Sequence, residues 1–460
     1  MKTDSDSPAL DPLAVERDPY AALRERDFRL FLSGNFLWVL GFKMQAVAVG
    51  YEIFRRTEWP LALGLIGLVQ ILPVLALALI AGHVADRFDR RNIILASLAC
   101  TAVASLGLAI VSLRGSEVWA IYLLVMITGV ARGFSQPARA SFLPQIVSRD
   151  RFPNAITWST GAFQLAFVLG PALGGLTIAA FAKLAERGGA ADISDAGPAA
   201  VYLAYALLAA VFFGMLLSIR SRPVTPSTEG LSAKSLAAGA KFVWSQKVML
   251  GALSLDLFAV FLGGAAALLP IFASDKMLDV GPIGLGWMEA APALGAVAMT
   301  VLMAHRAPME RAGGAMLWSV AGFGVATIVF GLSTSFTLSL AMLFFAGALD
   351  TISVVIRHTL VQLLTPDAMR GRVSAINGMF IGASNELGAF ESGVVADLAS
   401  RVRGDVAFGA MFSVVSGGIG TVVVVALLSI LAPSLRRYGR LVQREADAQK
   451  SPANPEAGIS

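Results

Sequence analysis

The sequence predicts an all-α integral membrane protein of about twelve transmembrane helices in two pseudo-symmetric six-helix bundles. Three observations carry that expectation. Of 460 residues, 56% are hydrophobic and only 15% charged, against about 25% charged in a soluble domain, and the mean hydropathy is +0.71. The apolar residues gather into runs near the roughly 20 residues that a helix needs to cross a bilayer. The second half of the chain also echoes the first at a nearly constant spacing. Gly67-x-x-Gln70-x-x-Pro73 returns as Gly286-x-x-Glu289-x-x-Pro292, and Gly129-x-x-Arg132 as Gly347-x-x-Asp350. Arg139 returns as Arg357, Leu169-Gly170 as Leu387-Gly388, and Gly175 as Gly393. A duplicated six-helix unit is what two halves rocking about a shared site require.

In chain order, residues 1–29 form a polar tail that ends in the basic run Arg24-Glu25-Arg26-Asp27-Phe28-Arg29. Its charges do not follow the order of a signal peptide. A first bundle occupies 30–219, with spans near 30–54, 61–82, 92–113, 118–138, 156–182 and 199–219. Residues 220–248 are a linker, Pro-containing at first. Within it, Leu236, Ala240, Val243 and Trp244 recur at helical spacing, with Lys234 and Lys241 on another face. That pattern predicts an amphipathic helix lying on the cytoplasmic leaflet. A second bundle occupies 249–432, with spans near 250–273, 283–304, 315–333, 337–357, 375–396 and 405–432, and 433–460 is a polar tail. With alternate loops on opposite sides, most of the 36 Lys and Arg fall on the side of both termini. Both termini are therefore expected in the cytoplasm.

Several function classes fall away. The single Cys100 sits in an apolar run and forms no disulfide framework, and His83, His305 and His358 lack metal-ligand spacing, so no metal site is expected. The net charge of +5 suits anionic lipid and cytoplasm better than nucleic acid. Neither a nucleophile–base pair nor a phosphate loop supports an enzyme or an ATP-driven pump.

What remains is charge inside apolar runs. Lys43, Arg132, Asp256, Glu289, Asp350, Glu386 and Glu391 all lie within predicted spans. A charge at mid-membrane costs roughly 2.5–3.5 kcal/mol on insertion scales, so each should face a cavity or a partner. Glu289, one turn before Pro292, is the first candidate for proton coupling and Asp350 the second. Arg132, Asp256, Glu386 and Glu391 complete the set. The repeat differs in charge at two of these places, Gln70 opposite Glu289 and Arg132 opposite Asp350. Arg139 and Arg357, at inner span ends, are expected to make structural salt bridges. Glu52, Arg55 and Arg56 are expected at the outer interface.

Between the second and third spans stands Gly82-His83-Val84-Ala85-Asp86-Arg87-Phe88-Asp89-Arg90-Arg91. It resembles the loop signature of the major facilitator superfamily, with Asp89 in place of the pattern's second Gly. In the fifth span, Ala166-Phe-Val-Leu-Gly170-Pro171-Ala-Leu-Gly174-Gly175 resembles the motif of that superfamily's exporters, with Ala166 in place of the first Gly. Phe28-Arg-Leu-Phe-Leu-Ser-Gly-Asn-Phe, Gln136-Pro-Ala-Arg and Gln362-Leu-Leu-Thr-Pro-Asp-Ala-Met-Arg-Gly-Arg-Val extend the likeness to the bacterial branch of enterobactin (siderophore) and drug exporters.

The resemblance implies a cytoplasmic latch at Gly82, Asp86, Arg87, Arg90 and Arg91, with Asp86 near the start of the eleventh helix around Gly371-Arg372-Val373-Ser374. It implies an Arg on the fourth span, here Arg132, that tunes a carboxylate. It also implies a cavity lined by the first, fifth, seventh, eighth and eleventh helices. Phe36, Trp38, Lys43, Gln70, Phe163, Phe258 and Trp287 are the lining candidates, with Phe42, Phe167, Phe261 and Phe380 beside them. The function implied is export of a small amphiphilic molecule across the bacterial inner membrane by proton antiport. The expected energy source is the proton gradient with no cofactor. The expected partners are the substrate and membrane lipids, with no nucleic acid, and the chain is expected to be a monomer. Uptake, lysophospholipid flipping and a non-transporting sensor on the same scaffold are the alternatives.

Overall fold

A computed structural model describes residues 18–187, 196–219, 233–306 and 311–439. The first tail as far as residue 17, the Pro-containing part of the linker and most of the second tail lie outside the described residues, as do the side chains of Asp86, Lys234 and Leu236. The first half comprises α1 (Arg26–Thr57), α2 (Pro60–Arg87), α3 (Arg90–Leu113), α4 (Val118–Ile146), α5 (Phe152–Arg187) and α6 (Ala196–Leu217). The connecting helix α7 (Ala233–Ser245) leads to α8 (Lys247–Leu262), a 3₁₀ turn (Ala265–Leu268) and α9 (Leu269–Ala273). Then come α10 (Gly281–Ala304), α11 (Ala312–Leu332), α12 (Phe336–Leu364), α13 (Asp367–Arg403), α14 (Val406–Leu431) and the short α15 (Pro433–Arg436).

Long apolar runs become helices because a helix satisfies every backbone hydrogen bond within one segment, which lipid demands. The ends follow local chemistry. Pro60 opens α2 at a position where the missing N–H costs nothing. Asp89 caps α3 by accepting the Arg91 amide at 2.9 Å, and Asp405 caps α14 by accepting the Ala407 amide at 2.9 Å. The residue that departs from the loop pattern at Asp89 thus starts a helix.

Eleven of these segments, with α8 to α9 counted as one, are long and apolar enough to cross a membrane. The helix α13 is longer than the expected 375–396 and more polar. It runs antiparallel along α2, with Gly393 beside Gly64 and Gly382 beside Ile71. It therefore lies alongside the apolar helices for most of their length.

The predicted amphipathic helix is present as α7, but its apolar residues do not share one environment. Val243 is buried with Met249, Leu253, Val361 and Val373, and Gly239 faces Arg372 and Ile376 of α13. Ala240, Lys241 and Trp244 are exposed. A helix that touches protein on one side needs two apolar stripes, which the single-face reading did not anticipate.

The two halves meet chiefly through α5 on α10 and α2 on α13. Close approach runs from the end remote from the tails, called here the far end, to mid-height, where a Cβ on Gly67 would come 2.9 Å from the Glu386 carbonyl oxygen. Gly175 lies against Gly286 and the Pro282 carbonyl, and a Cβ on Gly286 would come 2.5 Å from the Pro171 carbonyl oxygen. On the other side of the molecule, a Cβ on Gly393 would come 2.7 Å from the Gly64 Cα. No larger residue allows such backbone contact. Two side-chain links close the same end: Lys276 Nζ lies 2.8 Å from Glu58 Oε2, and the Trp59 indole donates to Asp397 Oδ1 at 2.7 Å. Toward the tail end, by contrast, a Cβ added at Gly82, Gly161, Gly371 or Gly378 would meet open space. A groove of about 990 Å³ separates α1 and α5 from α10 there, lined by Leu32, Phe36, Leu165, Val168, Leu294 and Val297 among others.

A charged layer between the halves

Halfway along the helices, the two halves present opposite charge to one another. Lys43 of α1 and Arg132 of α4 stand on the first half, and Glu289 of α10 and Glu386 of α13 on the second. Arg132 Nη2 lies 3.7 Å from Glu386 Oε1. Lys43 interacts electrostatically with both Glu289 and Glu386. Four helices each contribute one charge, so the layer exists only when the halves are assembled. Each member alone would be costly at this depth; facing one another, they compensate.

The cations of the first half rest on aromatic rings. Lys43 Nζ lies 3.9 Å from the centroid of Phe167, and Phe167 packs on Phe163 at 4.3 Å. The Arg132 guanidinium lies 5.1 Å from the centroid of Phe42, and that of Arg139 lies 3.7 Å from Trp38. Trp38 and Phe42 are nearly parallel, with an interplanar angle of 11°. The spacing explains the stack. Trp38 and Phe42 are one turn apart on α1, and Arg132 and Arg139 are two turns apart on α4, so each pair shares a face of its helix. Arg139 also donates to Asn35 Oδ1 at 3.0 Å. The negative face of each ring holds a cation without neutralising it.

The whole arrangement is that of a known family: the Major Facilitator Superfamily pattern matches residues 31–389. The chain belongs to the major facilitator superfamily. Among curated members of it, the enterobactin exporter EntS of Citrobacter koseri is 28% identical over 416 residues, covering 89% of this chain and 93% of its own. The enterobactin exporter EntS of Escherichia coli O1:K1 is 26% identical over 412 residues, with the same coverage. Among solved structures, a bacterial homologue of the human lysosomal transporter Spinster, inward-facing and unoccupied, superposes with a TM-score of 0.66. It is 16% identical and the match covers 89% of this chain and 96% of that one. The D-xylose–proton symporter superposes with a TM-score of 0.65 at 14% identity, over 91% of this chain and 100% of that one. At such identities the two structures bear on the fold alone. The major facilitator fold accounts for the duplicated halves, and the glycines of the fifth span pack at their contacts. Gly170 packs on Leu40 and Lys43, and Gly174 on Met44 of α1, while Gly175 faces α10. Pro171 lends its carbonyl to the contact with Gly286.

The other charged candidates lie elsewhere. Asp256 is paired with Arg357 of α12, both side chains almost fully buried inside the second half. Arg357 therefore does make a structural salt bridge. Its partner is on α8 rather than on its own helix, and Asp256 stands away from the charged layer. Asp350 lines a cavity of about 260 Å³ within the second half, together with Pro292, Phe330 and Asn385. Glu391 is half-buried and accepts from the Ser392 hydroxyl at 3.4 Å. Glu52 is not interfacial as expected: it is wholly buried. It accepts from Tyr202 at 2.7 Å and pairs with Arg56 at 2.6 Å, whose guanidinium caps the Ser112 and Ser116 carbonyls. The four-residue spacing of Glu52 and Arg56 was the available signal.

The lining candidates divide too. Phe36 borders the tail-end groove. Trp38 is buried and Phe163 exposed; both belong to the aromatic wall. Gln70 is half-buried on α2, with its backbone oxygen against Gly129. Trp287 is exposed and two positions from Glu289, which places them on nearly opposite sides of α10. Trp287 therefore points away from the charged layer. Phe258 is exposed on the side of α8 opposite Asp256. In the loop, Arg91 donates to the Leu216 and Leu217 carbonyls at 3.0 and 2.7 Å, the negative end of the α6 dipole. Arg90 donates to the Ser141 carbonyl at 3.2 Å, and Arg87 is exposed. The described loop cations Arg90 and Arg91 thus brace their own half. The far-end links Glu58–Lys276 and Trp59–Asp397 were not anticipated, because each joins segments far apart in sequence with no local pattern to mark them.

Proposed function

We propose that the chain is a secondary transporter that exports a small amphiphilic molecule, siderophore or drug-like, across the bacterial inner membrane by alternating access coupled to proton antiport. The observation that carries this reading is the charged layer: two cations facing two carboxylates at mid-height, between halves that pack closely from there to the far end and part toward the tail end. A proton arriving at Glu289 or Glu386 removes a negative charge from the layer and frees a cation of the opposite half. Proton binding and the relation between the halves are thereby linked. In this reading the tail end is cytoplasmic, α13 is the eleventh crossing in chain order and brings the total to twelve, and the far-end glycine contacts seal the periplasmic side. The likeness to enterobactin exporters and the Gly-Pro-x-x-Gly-Gly segment support export over uptake.

Reconstitution tests it. In proteoliposomes with an imposed pH gradient, siderophore-like and drug-like probes should move against the proton flow, and Glu289→Gln should abolish that movement while expression persists. Movement down the proton gradient would reverse the direction, and unchanged coupling in the variant would remove Glu289 from the mechanism. A second reading, lysophospholipid flipping, draws on the apolar tail-end groove beside α5 and α10. Transfer of a fluorescent lysophospholipid between leaflets would favour it.

A further inference from the structure

The cations and the carboxylates of the layer are sorted by half, and only the cations are built into an aromatic surface. Lys43, Arg132 and Arg139 stack on Phe167, Phe42 and Trp38. Among the described residues, Lys43 and Arg139 enter no ion pair, and Arg132 has a single loose one, to Glu386 at 3.7 Å. With Arg139 counted, the aromatic wall of the first half carries three cations against the two carboxylates of the layer. An aromatic wall with surplus cations is complementary to one kind of molecule. We infer that this wall binds an aromatic molecule carrying an acidic group, and that Glu289 and Glu386 compete with that group for the same cations.

This deepens the export reading and rests on it for the direction of movement, but not for binding. The acidic group takes the guanidinium of Arg132, which offers a planar pair of N–H donors to an oxyanion, with Lys43 as a point charge beside it. The ring lies along Phe163, whose exposed edge continues the Phe167 surface. Glu386 already occupies the position such an anion would take on Arg132, so the protein's carboxylate and the ligand's exclude each other. A cationic molecule meets like charge on this wall.

The test uses the full-length protein in lipid nanodiscs and three probes with one ring system: 1-naphthoate, 1-naphthylmethanol and 1-naphthylmethylammonium. Binding is followed by calorimetry near neutral pH. Naphthoate should bind at least about tenfold more tightly than either other probe, a difference of about 1.4 kcal/mol. Lys43→Gln and Arg132→Gln should each remove that preference and leave naphthylmethanol unaffected. Lys43→Arg should keep it, which separates lost charge from misfolding. Glu386→Gln should tighten naphthoate by removing the competing carboxylate. A preference for the ammonium, no discrimination among the three heads, no binding of naphthoate, or wild-type affinity in both Gln variants would overturn the inference. Naphthoate that binds but is not moved in vesicles would instead sink the export reading and leave the site standing. Movement of cationic dyes with no naphthoate binding would do the reverse.

Discussion

The first and second halves descend from one six-helix pattern, yet they carry opposite chemistry at equivalent places. Arg132 and Asp350 occupy matching positions, as do Gln70 and Glu289. In the first half the intramembrane cations lie on rings at the interface between halves. In the second, one carboxylate is locked to Arg357 inside the bundle, another lines a small internal cavity, and Glu289 and Glu386 face across. A duplicated scaffold thus supplies ring-borne cations from one copy and facing carboxylates from the other. The comparison teaches that the repeat fixes the position of a side chain and leaves its task free.

The difference can be broken at several points. The largest effect is expected where the halves touch backbone to backbone. Gly286→Val places a side chain where the Pro171 carbonyl lies within 2.5 Å of a bare Cβ. The far end should be unable to close, and transport in vesicles should fall to background, with cysteine pairs across α5 and α10 no longer cross-linking.

Next is the buried pair of the second half. Arg357→Ala leaves Asp256 as an uncompensated buried charge, and removing one partner of such a pair costs about 3–5 kcal/mol. A marked fall in thermal unfolding temperature should follow, largely rescued by adding Asp256→Ala. The equivalent first-half change, Arg139→Ala, loses a ring contact and a hydrogen bond to Asn35 without stranding an acid. It should cost clearly less stability and more ligand affinity.

The far-end link is smaller. Glu58→Ala breaks a solvent-exposed pair with Lys276, worth about 0.2–1 kcal/mol. It should shift the balance between conformations a few-fold at most, readable by fluorescence distances across the far end. Lys276 is held above the ordinary lysine range, chiefly by its hydrogen bond to Glu58, which outweighs desolvation, with the charges of Glu58, Asp275 and Asp405 adding to it. A raised pKa means the contribution is full below the ordinary lysine value and is lost as pH rises through the folded one. The same distances should therefore be flat through neutral pH and change only in strongly alkaline buffer. The last comparison is in the loop: Asp86→Ala should lower transport more than His305→Ala, because only the first half carries an acid at that position. Equal effects would mean the loop's asymmetry is silent.

Much of this was legible in the sequence for definite reasons. Apolar runs of bilayer length dictate helices, and the echo of Gly67-x-x-Gln70 in Gly286-x-x-Glu289 reveals the duplication. Charges inside those runs single out Lys43, Arg132, Asp256, Glu289, Asp350, Glu386 and Glu391, because so costly a group demands a partner. What stayed hidden was which partner. Asp256, Asp350 and Glu386 all sit in apolar surroundings along the chain, and only packing decides that Arg357 takes the first and Arg132 the last. Trp287 looked like Phe163 in sequence, and its position two residues from Glu289 could have excluded it from the layer by helical geometry alone. Glu52 lies near the end of α1, as the sequence suggested, but its burial against Tyr202 was hidden because that partner is 150 residues away.

The glycine contacts at the far end make a fulcrum. Helices that touch there at backbone distance, at Gly64 with Gly393 and Gly175 with Gly286, can pivot but hardly slide. A small rotation about them moves the tail-end tips far and the mid-height layer by an intermediate amount, whereas opening the far end requires these contacts to part. The Arg132–Glu386 separation of 3.7 Å is within about 1 Å of a full hydrogen bond. That one gap therefore reads out the angle between the halves, as a strain gauge reads a bent beam.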